Sequence, residues 1–146
     1  MQSRRTKYLL LYLALAIAIV LFIGSINWMT YYRLSKQGIG TKAVVTKTNC
    51  SNHMTFSYRF DFNGQSIGGS GGDGYGNPSC DTLRQGDPVL VYYLSSQPEI
   101  NVPGDPKKRL TNETISIAGA ALTLPVLLVF AINKAMNKWT KKRIQA

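Results

Sequence analysis

Apolar and polar positions divide this chain into three blocks. Residues 8–29 (YLLLYLALAIAIVLFIGSINWM) and 115–132 (ISIAGAALTLPVLLVFAI) carry no charged side chain. Neither shows the polar stripe of a soluble amphipathic helix. A bilayer core about 30 Å thick is crossed by roughly 20 helical residues, so the first stretch suffices and the second comes close. Each keeps its backbone hydrogen bonds within its own helical ladder, as hydrocarbon demands. The pattern predicts two transmembrane helices with a polar segment between them. The first is read as an uncleaved anchor, because its apolar core exceeds the roughly 7–15 residues of a signal peptide. Trp28, Tyr31 and Tyr32 follow it as an aromatic belt, where a cleavage site calls for small residues.

The middle block has a different period. Residues 55–62 (TFSYRFDF) alternate, with Phe56, Tyr58, Phe60 and Phe62 on one face and Thr55, Ser57, Arg59 and Asp61 on the other. That is the pattern of a half-buried antiparallel strand. Asn63-Gly64 follows at once as a hairpin turn. The return strand is predicted to be short, 65–69, because glycines take over. Residues 42–48 (KAVVTKT) form a second β-rich run. Residues 88–94 (PVLVYYL) are apolar on both faces and are placed at the centre of the core, entered by a turn at Gly86-Asp87-Pro88. Residues 30–41 are read as a connection, and 97–109, with three prolines, as an extended, stiff return.

The expected fold class is thus an α+β membrane protein, with two transmembrane helices flanking a small antiparallel β sandwich or barrel of about four to six strands. The predicted divisions are a basic tail (1–7), the first span (8–29), the β domain with its connecting segments (30–114), the second span (115–132) and a second basic tail (133–146).

Charge follows the same division. All seven acidic residues lie in the middle block, and the tails carry only cations: Arg4, Arg5, Lys7, then Lys134, Lys138, Lys141, Lys142 and Arg143. The net charge of +10 is therefore mostly tail charge, as basic residues kept on the cytoplasmic side produce. With no recognition motif and no single basic face, nucleic acid is not an expected partner. Cys50 and Cys80, the only cysteines, both lie in the middle block and are read as one disulfide facing an oxidising space. Both termini are accordingly placed in the cytoplasm, and residues 30–114 on the periplasmic or extracellular side of the inner (plasma) membrane.

Candidate chemistry adds little. The run 68–76 (GGSGGDGYG) begins like a calcium-binding nonapeptide with Asp73 as carboxylate, but a single copy has no neighbour to share an ion with. It is read as a flexible loop beside the disulfide. Two cysteines and the lone His53 do not make a metal site. No nucleophile elbow, zinc-protease or phosphate-loop motif occurs. No cofactor is expected, and the chain is read as non-catalytic. Ser116, Gly119, Ala120 and Thr123 form a small-residue strip at helical spacing, suited to packing on the first helix or on another subunit. Pro125 is placed to kink the second helix. Tyr75 and Tyr92 are the first interface candidates, on residue type alone.

YRFDFNGQSIGG followed by GDPVLVYYLSSQPEIN resembles a widespread family of uncharacterised, mostly bacterial membrane proteins. Tyr58, Phe60, Asn63, Gly64, Ile67 and Gly69 fit its first recurring element, and Gly86, Asp87, Val89, Val91, Tyr93 and Pro98 its second. The resemblance implies a helix at each end and a small extracytoplasmic β domain. It implies no activity, and it makes the matched residues turn glycines and core positions. The functional expectation is an accessory subunit or protein-binding module, with the lipid bilayer and another membrane protein as partners. The alternative is an immunity protein that protects against a toxin or a membrane-attacking factor.

Overall fold

A computed structural model describes residues 4–144 except 26 and 52, with side chains between 5 and 134. The chain forms two compact units. One is the β unit, Asn27–Glu113, and the other combines the first helix with the chain from Thr114 onward.

In the β unit, helix α2 (Trp28–Gln37) precedes strands β1 (Ile39–Asn49), β2 (Thr55–Phe62), β3 (Gln65–Gly72), β4 (Pro88–Leu94) and β5 (Gln97–Pro103), with a single 3-10 turn at Cys80–Thr82. The strands make one antiparallel sheet in the order β3-β2-β1-β4-β5. The β2–β3 hairpin turns on Asn63 and Gly64, both with positive φ as a two-residue turn of this type requires. The sheet curls on itself into a near-barrel. Tyr58 of β2 is 2 % exposed and donates from its hydroxyl across the interior to Asn101 Oδ1 of β5, at 2.7 Å. Around it Ala43, Val45, Phe56, Phe60, Leu83, Val89 and Val91 form the core. Phe60 and Phe62 add ring contacts to Tyr93, with centroids 5.1 and 5.4 Å apart.

The curl explains why β3 runs three residues beyond the predicted Gly69. All eight residues of β2 find partners on it, from Phe62↔Gln65 to Thr55↔Gly72. Gly69 and Gly71 lie on its inner face, where absent side chains admit Tyr58 and Pro103. A Cβ at Gly69 would meet the Tyr58 ring at 2.6 Å and press on Asn101 Oδ1, and one at Gly71 would meet Pro103 at 2.7 Å. The glycine run is thus mostly strand, chosen for interior space. Gly69→Ala is expected to cost about 2 kcal/mol by overpacking, read as a lower unfolding midpoint, whereas Gly68→Ala on the outer face is expected to cost well under that.

The run 88–94 lies in the core as expected, as β4 beside the central strand β1. β4 is apolar on both faces because Val89 and Val91 enter the core while Leu94, on the outer side, packs with Val102 and with Leu34 of α2. Residues 28–37 are helical where a plain connection was expected, and β5 carries straight into a turn and helix at 104–109.

In the other unit, α1 (Arg4–Gly24) ends five residues before the predicted 29, at a Gly24-Ser25 pair that permits a break. Helix α3 (Pro106–Ile144), whose first turns belong to the β unit, starts nine residues before the predicted 115 and continues through the predicted tail. Its early start has a local cause. Pro106 suits the first helical position, and Asp105 Oδ1 caps the Lys107 amide at 2.8 Å. The side chains of Lys138, Lys141, Lys142 and Arg143 lie outside the described residues. Two stretches, Arg5–Gly24 and Pro106–Lys134, are long and apolar enough to cross a membrane by length and composition.

Candidate functional site

The segment after β3 closes the barrel. Gly74 and Tyr75 turn with positive φ, which lets Asn77 reach the edge of β4. There its side chain imitates a strand residue: Nδ2 donates to the Leu90 carbonyl at 2.9 Å, and Oδ1 accepts from the Leu90 amide at 2.7 Å. The Tyr75 carbonyl accepts from the Asp105 amide at 2.6 Å, drawing the same segment onto the start of α3.

Arg109 locks this seam. It is 9 % exposed, and its guanidinium donates from Nε to the Pro103 carbonyl at 2.8 Å and from Nη2 to the Gly72 carbonyl at 2.7 Å. It also lies over the Tyr75 ring, 4.2 Å from the centroid, a cation–π contact strengthened by burial. The Tyr75 hydroxyl accepts from Asn112 Nδ2 at 2.9 Å. One side chain therefore joins the ends of β3 and β5 and the first turns of α3.

The other predicted residues are placed as follows. Cys50 and Cys80 form the disulfide. Asp73 accepts the Cys80 amide on Oδ2 at 2.6 Å, and its own amide donates to the Met54 carbonyl at 3.1 Å. Its carboxylate thus fixes the disulfide loop, and Asp87 similarly holds the Arg84 amide at 2.7 Å. His53 is exposed in the β1–β2 turn, where it and Met54 both have positive φ. Among the described residues no three His, Cys, Asp or Glu side chains gather as a metal site would.

Tyr75 and Tyr92 are not the exposed aromatics expected from residue type. Tyr75 is half-buried and engaged by Arg109 and Asn112, and Tyr92 is half-buried beside Gly40. The small-residue strip of α3 is also displaced from its expected packing role on the first helix. Ser116, Gly119 and Thr123 are exposed, and only Ala120 is half-buried. The face that packs within this unit is Ile117, Ala121, Pro125, Val129 and Asn133, with Ile117 against Gly24. Pro125 sits buried on that face and the helix stays continuous through it. Tyr8 donates to Asn133 Oδ1 at 3.1 Å, at one side of an apolar groove of about 320 Å³ lined also by Tyr12, Val126, Val129 and Phe130.

Burial pushes the Tyr58 phenol well above the ordinary tyrosine value, and the positive charge of Arg109 acts against that rise. The unfolded phenol ionises near pH 10, so Tyr58's contribution is complete below about pH 10 and is lost as pH rises further. In an ultraviolet titration, Tyr58 is expected to ionise last of the eight tyrosines, together with loss of β-unit structure. Persistence of the native fold after all tyrosines have ionised would contradict this.

No family model, curated protein or solved structure matches the chain. Its functional reading therefore rests on its own residues. Asn77, Asn101 and Arg109, which carry the seam, were not singled out from sequence. Asn77 sits between a glycine run and Pro78, and Arg109 is the last of three consecutive cations, so neither has a distinguishing pattern.

Proposed function

We propose that the chain is a non-catalytic integral membrane protein, an accessory subunit or protein-binding module that presents a disulfide-stapled β unit outside the cytoplasm. The observation that carries this is the apolar surface of the helical unit. Leu21, Phe22, Leu127 and Phe130 are 69, 73, 63 and 69 % exposed, and the most apolar window of α1 is unburied throughout. Such a surface is stable in hydrocarbon and a liability in water. The strip of Ser116, Gly119 and Thr123, exposed on α3, suits close approach by a helix of another subunit. The disulfide supports an oxidising compartment for the β unit, and basic tails support cytoplasmic termini. Asp73, Asn77, Asn101 and Arg109 are engaged in closing the β unit's own structure, which suits a structural or binding module. The resemblance to the two-helix membrane family belongs to the same reading.

Extraction of the tagged protein from native membranes in mild detergent, followed by mass spectrometry, tests the proposal. A stoichiometric membrane partner is the expected result. Recovery of the protein alone from the soluble fraction would reject it. Maleimide labelling of intact, reduced cells checks the topology: Cys50 and Cys80 are expected to react without breaching the membrane.

A further inference from the structure

Helix α2 has two unlike faces. Leu34 and Tyr31 pack inward against Leu94, Val102 and Ile100. On the outer side Met29 and Tyr32 are 56 and 41 % exposed, and Trp28 stacks on Tyr32 with ring centroids 5.3 Å apart. Three observations indicate what covers this face. Only residues 25–27 separate Gly24 from Trp28 along the chain, so the aromatic turn follows the apolar helix directly in sequence. No acidic residue occurs in α2, and Arg33 and Lys36 follow the aromatic turn. The order along the chain is therefore apolar helix, then Trp and Tyr, then cations, which matches the depth order of hydrocarbon, interface and phosphate. Arg33 also donates to Gln97 Oε1 at 3.0 Å, which ties one of these cations to β5.

We propose that the outer face of α2 rests on an anionic phospholipid surface. Trp28, Met29 and Tyr32 sit at the boundary of headgroups and acyl chains, and Arg33 and Lys36 lie at the phosphates. Because Leu34 locks α2 onto the sheet, this contact holds the β unit against the lipid instead of leaving it to swing on a linker. The proposal deepens the membrane reading above and rests on it.

Replacing Trp139 by Phe leaves Trp28 as the sole tryptophan of the full chain. The protein is reconstituted in phosphatidylcholine vesicles containing about 30 % phosphatidylglycerol, with lipid brominated high on the acyl chain as quencher. Trp28 emission is expected to fall about two-fold, and Met29→Ser with Tyr32→Ser, both surface changes, is expected to abolish most of that quenching. Undiminished emission from protein that floats with vesicles after alkaline washing would overturn the α2 contact while leaving the membrane reading intact. Protein that fails to float overturns both. Shielding of Trp28 from a water-soluble quencher, without quenching by brominated lipid, means that a protein surface covers α2 and overturns the lipid assignment.

Discussion

Replacing Cys50 and Cys80 together by serine is expected to destabilise the β unit by about 3.5 kcal/mol and to lower its thermal midpoint by roughly 15–25 °C. The two cysteines are 30 residues apart, and the bond closes a loop that contains the β2–β3 hairpin and the glycine run. Loop closure in the unfolded chain is therefore the larger part of the effect. The native side adds to it, because the Cys80 amide is held by Asp73, whose own amide reaches back to Met54. Without the bond, the 3-10 turn and the β1–β2 connection remain linked through Asp73. Circular dichroism of the full chain in detergent micelles, with and without reductant, measures the change. Reductant should shift the wild type toward the variant and leave the variant unmoved. A wild type indifferent to reductant would mean that the seam alone sets stability.

Arg109→Met is the second large effect, about 3 kcal/mol. The substitution keeps much of the aliphatic volume and removes both hydrogen bonds, so the buried Pro103 contact and the part-buried Gly72 contact lose their donor. The contact over Tyr75 goes as well. Arg109→Lys separates charge from geometry. A lysine retains the cation but cannot reach two carbonyls with a planar fork, so it is expected to recover less than half of the loss. Hydrogen exchange locates the damage: Gly72, Tyr75 and Asn77 should lose protection first, while the β1–β2 ladder keeps it. Uniform loss across the sheet would show that Arg109 supports the whole fold and not the seam.

These residues also mark how far sequence reading reaches. The β2–β3 hairpin was legible because Asn63-Gly64 supplies two residues that tolerate positive φ between an alternating run and its partner. The disulfide was legible because only two cysteines exist in one polar block. The extension of β3 to Gly72 was not, since glycine's low strand preference points the other way. What decides it is the room that Tyr58 and Pro103 need, and they approach only when the sheet curls. Arg109 was hidden among Lys107 and Lys108 because its inward direction depends on helix phase, which Asp105 and Pro106 set. The strip of Ser116, Gly119 and Thr123 was legible as a face of α3, while the choice between the first helix and another subunit as its neighbour was not. Periodicity defines a face without saying which neighbour lies on it.

The seam also imposes an order on synthesis. Tyr58 waits for Asn101, 43 positions later, and the Gly72 carbonyl waits for Arg109, 37 positions later. Both cysteines leave the ribosome before either partner does, so the bond between them can form on an unfinished sheet. It then holds β1, β2 and β3 together during the interval in which their open edges are most exposed to wrong pairing. Arg109, the last piece of the closure, emerges just ahead of the apolar length of α3. A lag in oxidation therefore threatens the nascent chain more than the finished protein, and its cost would appear as aggregation during synthesis.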